Sequence, residues 1–308
     1  MKKWEKFGRV LLPFITPFNE NEEVNYKAYE ELINYAMDRN YLDTVVVSGT
    51  TGEFNTLMYE ERVKLFETAV KTVNGRCPII AGTGAASTRE AVALTNAAVK
   101  AGIKTCMVVG PYYCKPTQDA IYAHYMRILN ETEADILIYN IPIFTGTNIE
   151  PATVAKLAAA SKRIIGIKDE AGINPVQVTD YFFATKDINP DFLIYNGDDI
   201  MIMPTLSQAA LGVVSGGSLL MGDRVKKVFK LYDEGKVEEA LEINRQVYKL
   251  CKVFGINGRI HPNPLLRVAV ELVTGIPVGK PRMPLDTATE AEKAELLKVL
   301  KEVNILKA

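Results

Sequence analysis

Lys168 closes the apolar run Arg-Ile-Ile-Gly-Ile-Lys at 163–168 and is followed by Asp-Glu-Ala-Gly. A lysine at such a place is a candidate nucleophile, because withdrawal from water disfavours the ammonium and frees a neutral amine to attack a carbonyl carbon. The competing reading is a lysine that reaches solvent or pairs with Asp169 or Glu170. A second run, Asp-Ile-Leu-Ile-Tyr at 135–139, ends on Tyr139, with Asn140 and Pro142 beyond it. A phenol there can carry protons to and from an imine, or can simply pack at a rim; it gains meaning beside Lys168. Ser-Gly-Thr-Thr-Gly-Glu at 48–53 is a small-residue turn ahead of a helical pattern. Backbone N–H groups in such a turn suit a carboxylate or a phosphate, although the spacing is neither that of a P-loop nor of a dinucleotide fingerprint. A plain turn is the alternative. Tyr112 and Tyr113 in Gly-Pro-Tyr-Tyr are rim or interface residues, and Asn-Gly-Asp-Asp at 196–199 reads as a turn with a helix N-cap.

These positions share one feature: each follows a short β-branched run. Such runs occur at 9–15, 43–48, 78–81, 105–109, 135–139, 163–168, 192–196 and 212–215. Amphipathic stretches with apolar residues three and four apart separate them, at 26–39, 58–73, 88–100, 118–130, 151–160 and 200–209. Strands alternating with helices predict a parallel sheet, and eight of them predict a (β/α)8 TIM barrel; a doubly wound open sheet is the alternative. In barrels of this kind catalytic groups sit at the C-terminal ends of strands. Helical patterns at 224–233, 237–254, 264–273 and 290–303 follow with no further strand. The expected organisation is therefore a barrel over 1–223, with 224–308 as C-terminal helices packed on it in a single structural unit.

The 308 residues suffice for one large core, and 48% hydrophobic with 24% charged residues is ordinary for a globular chain. Lys and Arg (36) balance Asp and Glu (37), so no long-range field favours nucleic acid or anionic membrane. No run reaches the roughly 18 apolar residues of a membrane span. Cys77, Cys106, Cys114 and Cys251 form no CxxC pair, which fits reduced thiols in a cytoplasmic protein. A metal-dependent barrel hydrolase is disfavoured because His124 and His261 are the only histidines and do not form a ligand-spaced cluster.

Gly-Thr-Thr-Gly-Glu at 49–53, Pro-Tyr-Tyr at 111–113, Tyr-Asn-Ile-Pro at 139–142, Gly-Ile-Lys-Asp at 166–169 and Gly-Asp-Asp at 197–199 occur in one order along the chain. In that combination the sequence resembles the dihydrodipicolinate synthase / N-acetylneuraminate lyase superfamily over roughly residues 8–280. The resemblance implies that Lys168 forms an imine with the keto carbon of pyruvate or a 2-keto acid, with Tyr139 relaying protons. It implies that Thr50 links Tyr139 to Tyr113 of an adjoining subunit in a homo-oligomer, a tetramer built as a dimer of dimers. Thr51 is implied to hold the keto-acid carboxylate and Gly197 to contact the imine region through its backbone, with Gly49, Val214 and Phe144 completing the substrate-binding set. No metal or organic cofactor is implied; the second partner is an aldehyde.

Departures from the family pattern bear on that aldehyde. Phe144 stands where synthases acting on aspartate semialdehyde carry a carboxylate-binding arginine, and a phenyl ring cannot replace a bidentate clamp. Phe54, Asn55, Tyr59 and Arg62 replace the histidine-bearing segment of lysine-inhibited synthases, and Ile200 replaces an acidic residue of neuraminate lyases. The sequence thus points to a pyruvate-dependent aldolase of 2-keto-3-deoxy sugar acids. The alternatives are 4-hydroxy-tetrahydrodipicolinate synthase, with Arg224, Arg259 or Arg267 supplying the missing charge, a related dehydratase, and a non-catalytic barrel relative.

Overall fold

A computed structural model describes residues 3–170 and 174–307. Eight parallel strands close on themselves in chain order: β1 (Val10–Pro13), β2 (Thr44–Val47), β3 (Ile79–Gly82), β4 (Thr105–Val109), β5 (Asp135–Asn140), β6 (Ile164–Asp169), β7 (Leu193–Asn196) and β8 (Gly212–Val214), with β8 paired to β1. The architecture is a TIM barrel, and the open sheet is excluded by the β1–β8 pairing. Each strand is buried on both faces, which explains the nearly unbroken apolar runs. Alternate residues face opposite ways: Leu11, Val46, Ile80, Met107, Leu137 and Leu193 fill the interior, while Val45, Val47, Val108 and Ile138 pack outward under the helices.

The helices are α1 (Tyr26–Asp38), α2 (Tyr59–Val73), α3 (Thr88–Ala101), α4 (Gln118–Glu131), the single turn α5 (Pro142–Thr145), α6 (Pro151–Ala160), α7 (Val176–Thr185), α8 (Ile202–Leu206), α9 (Ser218–Asp233), α10 (Val237–Val253), α11 (Asn263–Thr274) and α12 (Glu290–Glu302). Local chemistry starts several of them. Asn25, Ser87 and Thr117 accept hydrogen bonds from Ala28, Glu90 and Ala120 N–H, and Thr289 with Glu292 forms a reciprocal capping box.

Three departures from the sequence reading have physical causes. Helix α7 is absent from the sequence expectation because Val-Gln-Val-Thr-Asp-Tyr-Phe-Phe is rich in β-branched and aromatic residues of modest helix propensity; packing of Val178 and Tyr181 into the core overrides it. The expected helix at 200–209 is a 3-10 turn, Asp199–Met201, followed by the short α8. Pro204 has no N–H to give to Ile200, so a helix begun at 200 cannot continue through it, and Pro204 is tolerated only near the start of α8. Helix α9 begins at Ser218, so a boundary between 223 and 224 falls inside it. Its regular part follows a kink at Met221 (φ −146°, ψ 37°), and Gly222 lies against Tyr41, whose carbonyl oxygen a Cβ would approach to 2.2 Å.

Register sets the height of the chemistry. Tyr139 of β5 is level with Lys168 of β6, and Lys168 with Tyr195 of β7. Paired residues in a parallel sheet point to the same face, and both tyrosines belong to the interior cluster, so Lys168 points into the barrel at its C-terminal end.

Candidate active site

At that end lies a cavity of about 400 Å³ whose lining includes Thr50, Thr51, Tyr139, Lys168, Gly197 and Val214, with Phe144 at its mouth. Lys168 is 5% exposed, and its Nζ sits 3.8 Å from the centre of the Tyr139 ring and 3.5 Å from Glu170 Oε2. Burial pulls its pKa down, while Glu170, Asp199 and Asp198 oppose the fall. The Tyr139 hydroxyl donates to Glu170 Oε2 at 3.1 Å and lies 3.3 Å from Thr50 Oγ1. Its pKa is driven well above the ordinary phenol value by burial first and the Glu170 charge second. Glu170 itself is pushed up to about 7, again chiefly by burial. Burial thus works against the charged form of all three groups, while the Lys168–Glu170 pairing opposes it for the lysine and the carboxyl.

Gly197 keeps its backbone open to these side chains. A Cβ there would come within 2.7 Å of Lys168 Cε and 3.0 Å of Glu170 Oε2, so any side chain at this position would push Lys168 or Glu170 out of place. Beyond it, Asp198 accepts from Ile200 N–H at 3.0 Å, as an N-cap does, and Asp199 Oδ2 accepts from Gly217 N–H at 2.9 Å. Burial raises the Asp199 carboxyl to about 6.

The turn at 48–53 is less open than its composition suggests. Amides of Gly52, Glu53 and Phe54 close it onto the Gly49 and Thr50 carbonyls. Those of Thr50 and Thr51 take no part in that closure. Gly49 does not line the cavity; it lies below, facing Met107, Val46 and Pro13. Glu53, with φ 55°, is wholly buried and accepts from Asn263 Nδ2 (2.7 Å), Arg267 Nε (2.8 Å) and Arg282 N–H (3.0 Å). Asn263 Nδ2 also donates to the Thr51 carbonyl at 2.9 Å. Helix α11 thus clamps the turn from behind.

This clamp removes one candidate for the missing charge, since Arg267 is committed to Glu53 and to the carbonyls of Val278 and Thr16. Arg224 binds Gln246 and the Val303 carbonyl, away from the cavity. Arg259 does line the cavity, but Glu292 (2.7 Å) and Asp286 (2.6 Å) hold its guanidinium. Phe144 stacks on His261, with ring centres 5.6 Å apart and planes at 27°. Tyr113 does not line the cavity: it is 96% exposed, on the loop after β4, at φ +73°.

The sequence reading gave no site role to Glu170, which it held only as a possible partner of Lys168, or to His261, and it did not mention Lys252, which also lines the cavity. A signal for Glu170 was present, because residues two apart on an extended chain share a face. Among the described residues no three His, Cys, Asp or Glu side chains gather as metal ligands, and no helix is long and apolar enough to cross a membrane.

Comparison with known proteins follows this geometry. The model of the dihydrodipicolinate synthetase family matches residues 6–303. The 4-hydroxy-tetrahydrodipicolinate synthase of Oceanobacillus iheyensis is 37% identical over 297 residues, 96% of this chain and 97% of the relative. Among solved structures, the dihydrodipicolinate synthase of Thermotoga maritima superposes with a TM-score of 0.91 at 33% identity, covering 98% of this chain and 100% of that one. A monomeric dihydrodipicolinate synthase variant gives 0.91 at 32% identity, covering 98% and 99%. The expectation of a sugar-acid aldolase finds no support in these relatives, which carry the name of the alternative, a synthase.

Proposed function

We propose that this chain, which belongs to the dihydrodipicolinate synthetase family, is a lysine Schiff-base lyase that condenses pyruvate with aspartate semialdehyde. The observation that carries the covalent step is Lys168 Nζ, 5% exposed on the cavity floor, between the Tyr139 ring and Glu170. A neutral Lys168 amine attacks the keto carbon, the carbonyl π pair passes to oxygen, and loss of that oxygen as water leaves an iminium. Removal of a C3 proton then gives an enamine, whose carbon attacks the aldehyde. The Tyr139 hydroxyl, backed by Thr50, is placed to move those protons. Thr51, on the same wall, takes the pyruvate carboxylate. The synthase relatives support aspartate semialdehyde as the second substrate, and Lys252 puts positive charge in the cavity lining for its carboxylate. The four unpaired thiols support a reducing, cytoplasmic setting.

Borohydride added with pyruvate should trap a reduced adduct on Lys168, read by peptide mass spectrometry; an unmodified lysine overturns the covalent step. A specific observation favours a second reading. With Phe144 stacked on His261, the mouth is partly apolar, and an apolar surface selects weakly for an acidic aldehyde. Comparing kcat/KM for aspartate semialdehyde and glyceraldehyde decides the matter: the synthase reading requires the acidic aldehyde to win, and faster glyceraldehyde condensation establishes the aldolase. Phe144→Arg should shift the ratio towards the acidic aldehyde in either case.

The working assembly we propose is a homo-oligomer, a tetramer arranged as a dimer of dimers. Tyr113 supports it: a bulky aromatic that is 96% exposed at φ +73° holds a costly backbone in water, on the order of 1 kcal/mol above an ordinary one. Tyr113 of the partner subunit would then complete the Thr50–Tyr139 relay. Light scattering with a parallel rate assay checks this, and a fully active monomer rules it out.

A further inference from the structure

The condensation described above leaves one half-buried carboxylate beside the lysine without a task. Glu170 stands just past β6, and its backbone N–H donates to the Asn140 carbonyl at 2.8 Å, carrying the β5–β6 ladder one step beyond the strand. That extended step returns its side chain to the face of Lys168. Oε2 is 3.5 Å from Lys168 Nζ and accepts from the Tyr139 hydroxyl at 3.1 Å. The bare backbone of Gly197 supports both side chains on one flank, and the cavity opens beside them.

We propose that Glu170 is a further catalytic residue, the base and acid that moves protons between Lys168 Nζ and the keto oxygen while the imine forms. The proposal rests on the Schiff-base reading given above. The Glu170 carboxylate takes one proton from the Lys168 ammonium. The freed nitrogen pair forms the N–C bond, the C=O π pair moves to oxygen, and Glu170 returns its proton to that oxygen. It then takes a second proton from nitrogen and delivers it to the hydroxyl. The C–O bond breaks, water leaves, and the nitrogen pair closes the C=N bond. Ammonium, carboxylate and ketone become iminium, carboxylate and water, and the protons balance.

The surroundings give this role a pH signature. Facing Glu170 are Lys168 from β6, Tyr139 from β5 and Asp198 beyond β7, with Asp199 acting on Lys168 and Lys252, Arg259 and His261 on the walls of the same cavity. Burial is the largest influence on the carboxyl, Lys168 lowers it and Asp198 raises it, for a value of about 7. When Lys168 and Glu170 are both protonated no base remains, so imine formation slows as pH falls below about 7.

Wild type, Glu170→Gln and Glu170→Asp should be mixed with pyruvate, quenched with borohydride at set times across pH 5.5–9, and scored for adduct by mass. Glutamine keeps the size and an acceptor for Tyr139 but cannot cycle a proton. We expect trapping roughly 10²-fold slower in Glu170→Gln, loss of the limb near pH 7, and partial recovery of both in Glu170→Asp. An unchanged trapping rate and profile in Glu170→Gln overturns the proposal, as does a uniform slowing that leaves the limb in place, which marks a structural role. Wild-type protein that forms no adduct overturns the Schiff-base reading itself, which keeps the two failures distinct.

Discussion

Lys168→Ala should reduce kcat by about 10⁴-fold or more, in line with removal of other covalent nucleophiles, while the barrel stays folded. No other amine is as well placed. Lys252 lines the cavity, but it is exposed at the end of α10 rather than held on the floor against Tyr139. The fold survives because the alanine remains in the β5–β6–β7 ladder with its backbone bonds intact. The nearest charge left behind is that of Glu170, with Asp198 and Asp199 beyond it. Loss of Lys168 removes the largest influence that lowers the Glu170 pKa, so the carboxyl can take up a proton and stay neutral instead of remaining an unpaired ion. Circular dichroism should therefore match wild type while turnover vanishes. Residual activity within a hundredfold of wild type would contradict the assigned nucleophile.

Arg267→Met should destabilise the protein by about 3–5 kcal/mol, the range seen when one partner of a buried ion pair is removed. Arg267 is 1% exposed and Glu53 is fully buried. Methionine fills much of the volume but leaves a carboxylate with only Asn263 and the Arg282 amide as donors, and it removes the donor to the Thr16 carbonyl and one of the two donors to that of Val278. Glu53→Gln added to Arg267→Met should recover a large part of the loss, because it removes the uncompensated charge. Urea denaturation of both singles and the double measures this; a single-variant loss under 1 kcal/mol sinks the argument. Activity should suffer too, since Asn263 ties the same clamp to the Thr51 carbonyl.

These cases show what can be read from the chain before folding. The barrel and the meeting of Lys168 with Tyr139 were legible, because both rest on local signals: strand period, strand count, and residues that end consecutive strands. The clamp was not. Glu53 and Arg267 lie 214 residues apart, and nothing in either neighbourhood announces the partner, so Arg267 read as a spare charge for substrate. Arg259 misled in the same way until Glu292 and Asp286 were seen to hold it. Glu170 was legible only as one option among two for pairing Lys168, and the choice depended on how far the ladder continues past β6. Helix α7 was missed for another reason: its residues prefer strand locally, and burial against the core decides.

Gly197, facing Lys168, also says where this barrel can be redesigned. Any side chain at 197 meets Lys168 and Glu170, so variation on that wall displaces the pair. The opposite rim is permissive: Ile143 (55% exposed), Phe144 (41%) and Ile260 (62%) border the same cavity without supporting the core. Exchanging them costs little stability. An engineer seeking a new aldehyde partner therefore has one fixed jaw that makes the bond and one movable jaw that chooses what is joined.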